Sequence, residues 1–128
     1  MMRHLPKALF VVALAVDVAA LSPATGASPR EDFAAFAHGN YVQAARSLAP
    51  MARRGNPFGQ CMLGLMYDKG HGVERDVVEA YKWLNLAAAA APAREREPYL
   101  RIRDAVASKM SPNQIVEGQR LAVDWRRS

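Results

Sequence analysis

Residues with reactive side chains are few in this sequence and do not form the patterns that catalysis or metal binding requires. The histidines His4, His38 and His71 lie far apart, and no HxxxH or HExxH pair puts two imidazoles on one helix face for a zinc ion. Gly70-x-Gly72 is too short to cradle a phosphate, and the sequence has no nucleophile elbow. We therefore predict no catalytic residue, no metal ligand and no cofactor, and we expect His71 to be a solvent-exposed loop residue.

The remaining candidates for chemistry are one thiol and one run of charges. Cys61 is the only cysteine, so an internal disulfide is impossible. It is either a small buried apolar residue, which we favour, or a reactive or intermolecularly paired thiol. The run Arg94-Glu95-Arg96-Glu97 offers carboxylates for acid/base work, but no histidine or nucleophile accompanies it. We interpret the run as the solvated, self-paired start of a helix.

The elements that position these residues centre on a helical hairpin between Cys61 and Ala88. A first helix is predicted from about Pro57 to Asp68, with apolar residues almost all the way round it, as expected for a helix sandwiched between neighbours. A glycine loop follows. Asp76 is then a suitable N-cap, and Glu79 completes a capping-box-like pattern at the start of a second helix. The glycines inside the first helix indicate close helix-on-helix contact.

This stretch resembles the Sel-one-like repeat, a relative of the tetratricopeptide repeat. The match is to the pattern LGxxYxxGxGVxxDxxxAxxWxxxAA, and it covers roughly a quarter of the chain. The matched residues, for which we expect structural roles, are Leu63, Gly64, Tyr67, Gly70, Gly72, Val73, Asp76, Ala80, Trp83 and Ala87. The resemblance implies an α-solenoid that binds proteins or peptides, with no catalytic residues to carry over.

Flanking segments extend the helical pattern in both directions. Residues 31–56 form a degenerate first repeat in which Asn40 aligns with Asp76 at an offset of 36 residues, without the LG and GxGV elements. Residues 57–91 are the full repeat, and residues 92–128 are a C-terminal capping helical pair with a core stripe of Ile102, Ala105, Val106 and Met110 in its first helix. The predicted fold is all-α: a short α-solenoid of antiparallel helical hairpins, SLR/TPR-like, with about six helices.

The first 27 residues have the order of an export signal. Arg3, His4 and Lys7 precede a short apolar run, and small residues follow it up to Ala27. We expect a cleaved signal peptide at residues 1–27, a single domain at residues 28–128, and a periplasmic or secreted protein of a Gram-negative envelope. An uncleaved anchor is the alternative, although the apolar run is shorter than a membrane span needs.

The charge pattern narrows the class of partner. The net charge is +5, and loss of the signal peptide with its two basic and one acidic residue lowers it to +4. No basic stripe interleaved with aromatic residues is present, so nucleic acid is not an expected partner. No stable membrane span is expected after signal cleavage.

A groove for a protein or peptide partner is predicted on the side of the first helix that faces away from its hairpin partner. Its apolar strip consists of Phe58, Met62 and Leu65, with Asp68 and Lys69 at the edge. The alternative is that neighbouring helices cover this side completely. The function predicted from the sequence is a non-catalytic protein- or peptide-binding adaptor of the cell envelope; the alternative is a small exported enzyme or inhibitor subunit on the same fold.

Overall fold

Helix breakers and caps divide the chain into five α-helices in the computed structural model, which describes residues 39–128. These are α1 (Tyr41–Arg53), α2 (Pro57–Lys69), α3 (Val77–Ala90), α4 (Arg96–Ala107) and α5 (Pro112–Arg127), with one 3₁₀ turn, Ala93–Glu95, before α4. The fold prediction is confirmed: this part of the chain is a short α-solenoid of antiparallel hairpins. The beginning of the predicted degenerate repeat, before residue 39, and the expected signal peptide, residues 1–27, lie outside the described residues.

Polar side chains begin three of the helices. Asn56 accepts a hydrogen bond from the Gly59 amide at 2.9 Å at the start of α2. Asp76 accepts from the amides of the second and third residues of α3. Ser111 and Gln114 form a reciprocal capping box at the start of α5. The Asp76 box is only half formed, because the Asp76 amide donates to the Tyr67 carbonyl instead of to Glu79.

Helix α3 is the centre of the arrangement. It packs against α2, α4 and α5, whereas α1 packs against α2. Glu79, freed from the capping box, forms an ion pair with Lys82 one turn along the same helix at 2.9 Å. The two C-terminal helices are therefore positioned mainly by the hairpin, since each lies on α3.

Three buried clusters fill the spaces between these helices. The first joins α1 to α2 and contains Ala44, Leu48, Met51, Phe58, Met62 and Met66. The second joins α2, α3 and α4 and contains Cys61, Ala80, Leu84, Ala87, Ala88, Ala91, Tyr99 and Val106. The third contains Ala52, Leu63, Trp83, Leu86 and Ala122, with Trp125 packed against it. Their residues come from all five helices, so the hairpin shares its core with both neighbours.

The alignment of α1 with α3 as parts of successive repeats stays a prediction. Asn40 and Asp76 are their N-caps. Leu48 and Leu84, which the sequence alignment pairs, are each 0% exposed. Asn40 differs from Asp76, because its side chain makes no hydrogen bond to the helix backbone. Its side-chain amide nitrogen donates instead to the Gln43 side-chain oxygen at 2.8 Å. Among residues 39–128, no helix is both long and apolar enough to cross a membrane.

Candidate protein-interaction surface

The close approach of α2 and α3 depends on Gly64. A Cβ atom at this position would lie 2.8 Å from the Leu84 Cγ and 3.1 Å from the Ala80 carbonyl oxygen. The first separation is shorter than packed atoms tolerate and the second is unusually tight, so a larger residue would push the helices apart. The prediction that Gly64 lets these helices approach is confirmed. The predicted repeat residues packed around the contact are buried, namely Leu63, Ala80, Trp83 and Ala87.

The loop between α2 and α3 folds back over the end of α2. Gly70 and Gly72 have φ values of 71° and 78°, in the left-handed region that favours glycine. The Met66 carbonyl accepts hydrogen bonds from the Gly70 amide at 2.7 Å and from the His71 amide at 3.0 Å. Val73 is partly buried against the first cluster, as predicted for an apolar residue after the glycines. The GxGV pattern therefore serves a compact helix-to-helix turn.

This loop also contacts the start of α1. The His71 ring stacks on the Tyr41 ring, with centroids 4.2 Å apart and an angle of 21° between the planes. Gly72 lies against the Tyr41 backbone, where any side chain would collide. His71 is therefore half-buried, and the expectation of a freely solvent-exposed loop histidine is wrong. The reason is the contact with the first residue of α1, which the pattern of the hairpin alone does not reveal.

The predicted groove strip on α2 is largely covered. Phe58 and Met62 are only 3% and 4% exposed, because α1 packs over them through Leu48 and Met51. These two side chains belong to the core, which corrects the expectation that they point into an open groove. Leu65 is half-buried between the first and second clusters. A partner could therefore reach only Leu65 and the polar edge of the strip, and their role in binding stays a prediction.

At that edge, Asp68 joins the hairpin to the C-terminal helices. Its carboxylate is 5% exposed and accepts a 2.6 Å hydrogen bond from the Lys109 ammonium, which follows α4. The Lys69 ammonium lies farther away, at 3.8 Å, on a side chain that is 61% exposed. The Asp68 carbonyl also accepts a hydrogen bond from Arg75 at 3.0 Å. Asp68 is thus a buried tether, and Lys69 is the accessible charge of the predicted edge.

Cys61 lies in the second cluster and is 5% exposed, which confirms the prediction of a buried residue. Burial raises the pKa of the Cys61 thiol to about 12. Burial also raises the pKa of Tyr99, which packs in the same cluster. A thiol in this setting is protonated at neutral pH and is shielded from reagents.

Arg96 has a role that the sequence did not indicate. Its guanidinium donates to the Ala88 carbonyl at 2.8 Å and to the Ala91 carbonyl at 3.1 Å, so it caps the end of α3. Within the predicted self-paired run of charges, only Arg94 and Glu95 form an ion pair, with 3.7 Å between the Arg94 Nε and the Glu95 Oε2. An arginine a few residues after a helix-ending proline is the signal that could have identified this cap.

The surface that remains is polar. Among residues 39–128, the large hydrophobic side chains that are exposed are Val42, Val116 and Val123. Within the same part of the chain, no group of three His, Cys, Asp or Glu side chains is placed to hold a metal ion.

Comparison with known families identifies the hairpin. The family model described as Sel1 repeat matches residues 57–92, which correspond to α2, the glycine loop and α3. No curated protein and no solved structure is detectably similar to the chain. The resemblance to the Sel-one-like repeat is confirmed, and repeats of this kind are in general modules for protein–protein interaction.

Proposed function

We propose that this chain, in which residues 57–92 form a Sel1 repeat, is a non-catalytic adaptor of the bacterial cell envelope that binds a protein or peptide. The observation that carries the proposal is the match of the family model to a hairpin with the expected packing. Gly64 sits under Leu84, and the loop glycines have positive φ. This hairpin and its neighbours form a preformed helical surface, which binds at a lower entropic cost than a flexible segment.

Binding can be tested by capture from a bacterial envelope extract. The purified chain serves as immobilised bait, beside a helical protein of similar size and net charge that lacks the repeat. We expect one protein or a small set to be enriched on the chain alone, and to bind it again after separate purification, with saturable stoichiometric binding by calorimetry. Equal recovery on both baits, or no binding after purification, would contradict the adaptor function.

The envelope location is supported by the order of basic, apolar and small residues in residues 1–27. When the chain is expressed in a Gram-negative host with this segment intact, it should be recovered from the periplasm and shortened by roughly that length. Intact mass spectrometry of the periplasmic and cytosolic fractions provides the measurement. Full-length protein confined to the cytosol would rule out the proposed location and leave the binding proposal standing.

A further inference from the structure

Two helices of the described chain end at adjacent arginines whose side chains form no ion pair there. Helix α1 ends with Arg53 and is followed by Arg54, and α5 ends with Arg126 and Arg127. All four side chains are exposed, and none of the four guanidinium groups forms an ion pair or a hydrogen bond within the described chain. Most other basic side chains of the described chain have a partner. Lys82, Lys109 and Arg120 pair with carboxylates, and Arg75 and Arg96 donate to backbone carbonyls.

Both arginine pairs border the same buried cluster. Ala52, directly before Arg53, belongs to the third buried cluster, and Trp125, directly before Arg126, packs against that cluster. The Trp125 ring meets the Trp83 ring edge to face, with centroids 5.8 Å apart. The two pairs therefore follow the ends of α1 and α5, next to residues of one buried cluster.

The separation of the pairs limits what can bridge them. Helix α1 packs on α2, α2 on α3 and α3 on α5, so the axes of α1 and α5 are at most about three interhelical spacings apart, or about 24–30 Å. About eight residues of extended chain cover that distance. Four guanidinium groups of one sign in this space favour an anionic occupant, and the planar guanidinium fork matches carboxylates in bidentate pairs.

We infer that Arg53, Arg54, Arg126 and Arg127 form a docking surface for an acidic, extended segment of a partner protein, rich in Asp and Glu. This inference rests on the proposed function, because it names the chemistry of the partner. Nucleic acid is a disfavoured occupant of this surface, since every aromatic side chain of residues 39–128 is at least partly buried and none is free for base stacking. An anionic membrane is disfavoured because the large exposed hydrophobic residues of this part are single valines, too few to insert as an amphipathic surface.

The test measures binding of a fluorescein-labelled peptide by fluorescence anisotropy. The peptide alternates Glu and Gly and is long enough, at about eight residues, to span both pairs when extended. A Gln–Gly peptide of equal length is the neutral probe. The variants are Arg53→Gln with Arg54→Gln, Arg126→Gln with Arg127→Gln, and all four together. The matched control is Arg46→Gln with Arg101→Gln, which removes the same charge from two exposed arginines without partners elsewhere on the described chain.

We expect the acidic peptide to bind, the neutral one not to bind, and each arginine pair to contribute about tenfold in affinity. The fourfold variant should also lose most of the salt dependence of binding, while the control keeps the affinity of the parent. Circular dichroism melts report whether each variant is folded.

Three outcomes would overturn the inference. An equal loss in the control variant would show that net charge alone attracts the peptide. A second outcome is that the acidic peptide does not bind, whereas the chain binds vesicles of phosphatidylglycerol and phosphatidylcholine and the fourfold variant does not. This outcome would assign the surface to a membrane. Unchanged capture of the envelope partner by the fourfold variant would place the partner elsewhere, with the adaptor function intact; no captured partner at all would reject the function itself.

Discussion

Small residues at helix contacts determine how closely the helices of this chain pack. At Gly64 the absence of a side chain lets Leu84 and the Ala80 carbonyl approach the α2 backbone. Glycine within a helix costs up to about 1 kcal/mol relative to alanine, so its presence here is compensated by the contact it permits. The residue that looks least suited to a helix is thus the one that the hairpin requires.

Gly64→Leu should lower the free energy of unfolding by about 1–3 kcal/mol, because the new side chain collides with Leu84 and with backbone. Urea unfolding followed by circular dichroism measures the change. Ala105→Leu is the matched control, since Ala105 is helical and exposed, and it should stay within about 0.5 kcal/mol of the parent. Parent-like stability of Gly64→Leu would mean that α2 and α3 do not meet at this residue.

Cys61 should react with Ellman's reagent at pH 8 only as fast as the protein opens, because the thiol is buried and its pKa is about 12. Because burial favours the protonated thiol, folding stability depends on pH at this residue. The stability that the protonated Cys61 contributes is fully present below the ordinary pKa of 9.0 and is lost as the pH rises from there toward 12. Adding urea should speed labelling in parallel with unfolding. Immediate labelling of the folded chain would show an accessible thiol and favour the reactive reading.

Some residue roles could be predicted from the sequence and others could not. Asp76 and Gly64 act as predicted, because caps and glycines carry local signals. Phe58 and Met62 could not be assigned, since periodicity shows that a helix is apolar on a given side but not which neighbour covers it. The contacts of Asp68 and Arg96 depend on residues brought together only by the fold.

At the scale of elements, α3 carries most of the arrangement. It has neighbours on three sides, and its last turn consists of alanines whose small side chains admit α4 closely. The exposed carbonyls at its end need donors, since a helix leaves its last carbonyl groups without internal partners. Arg96 supplies two of these hydrogen bonds from the first residue of α4. The end of one helix therefore positions the start of the next.

Arg96→Ala should reduce the free energy of unfolding by about 1–2 kcal/mol, because two carbonyls at the end of α3 lose a charged donor. Arg94→Ala is the control: its side chain is 87% exposed, and its ion pair with Glu95 at 3.7 Å is weak. Thermal unfolding of both variants gives the comparison. If the two variants melt at the same temperature, the capping role of Arg96 is wrong.

Helix boundaries were the most predictable part of the fold. Pro57, Pro92 and Pro112 begin or end helices where the sequence indicates, since proline lacks the amide that a helix interior needs. The core stripe of α4 was less predictable. Tyr99 and Val106 are buried whereas Ala105 is exposed, so its assignment to the stripe was wrong. At about 100° per residue, Ala105 falls outside the face that Tyr99, Ile102 and Val106 share.

At the scale of the whole molecule, the ion pair of Asp68 and Lys109 connects residues 41 positions apart and ties the hairpin to the C-terminal part. Lys109→Ala should destabilise the fold by about 1–2 kcal/mol, because it leaves a nearly buried carboxylate without its partner; the half-exposed lysine keeps the loss below that of a fully buried pair.

In the background of Asp68→Asn, the same lysine substitution should cost almost nothing, and this double-mutant cycle isolates the pair. Lys69→Ala, at the more distant and more exposed lysine, serves as the control and should be nearly neutral. Additive losses in the cycle would show that Lys109 stabilises the chain by another route.

The solenoid class of the molecule could be predicted from the sequence, because a repeat pattern implies stacking of similar units. Which surface remains free could not be predicted, since it depends on how α1 covers α2 and how α4 and α5 lie on α3. The two arginine pairs illustrate this point. They are 72 residues apart in the sequence, counted from Arg54 to Arg126, and only the fold brings both beside one buried cluster.

Hydrogen exchange of the chain with and without its captured partner tests the central claim, that a preformed helical surface binds a protein. The account predicts that amides of α3 exchange slowest in the free chain, since this helix has neighbours on three sides. On binding, α2 and α3 should keep their protection, and the ends of α1 and α5 should gain it. Loss of protection in α2 and α3, or no protected segment at all, would contradict the account.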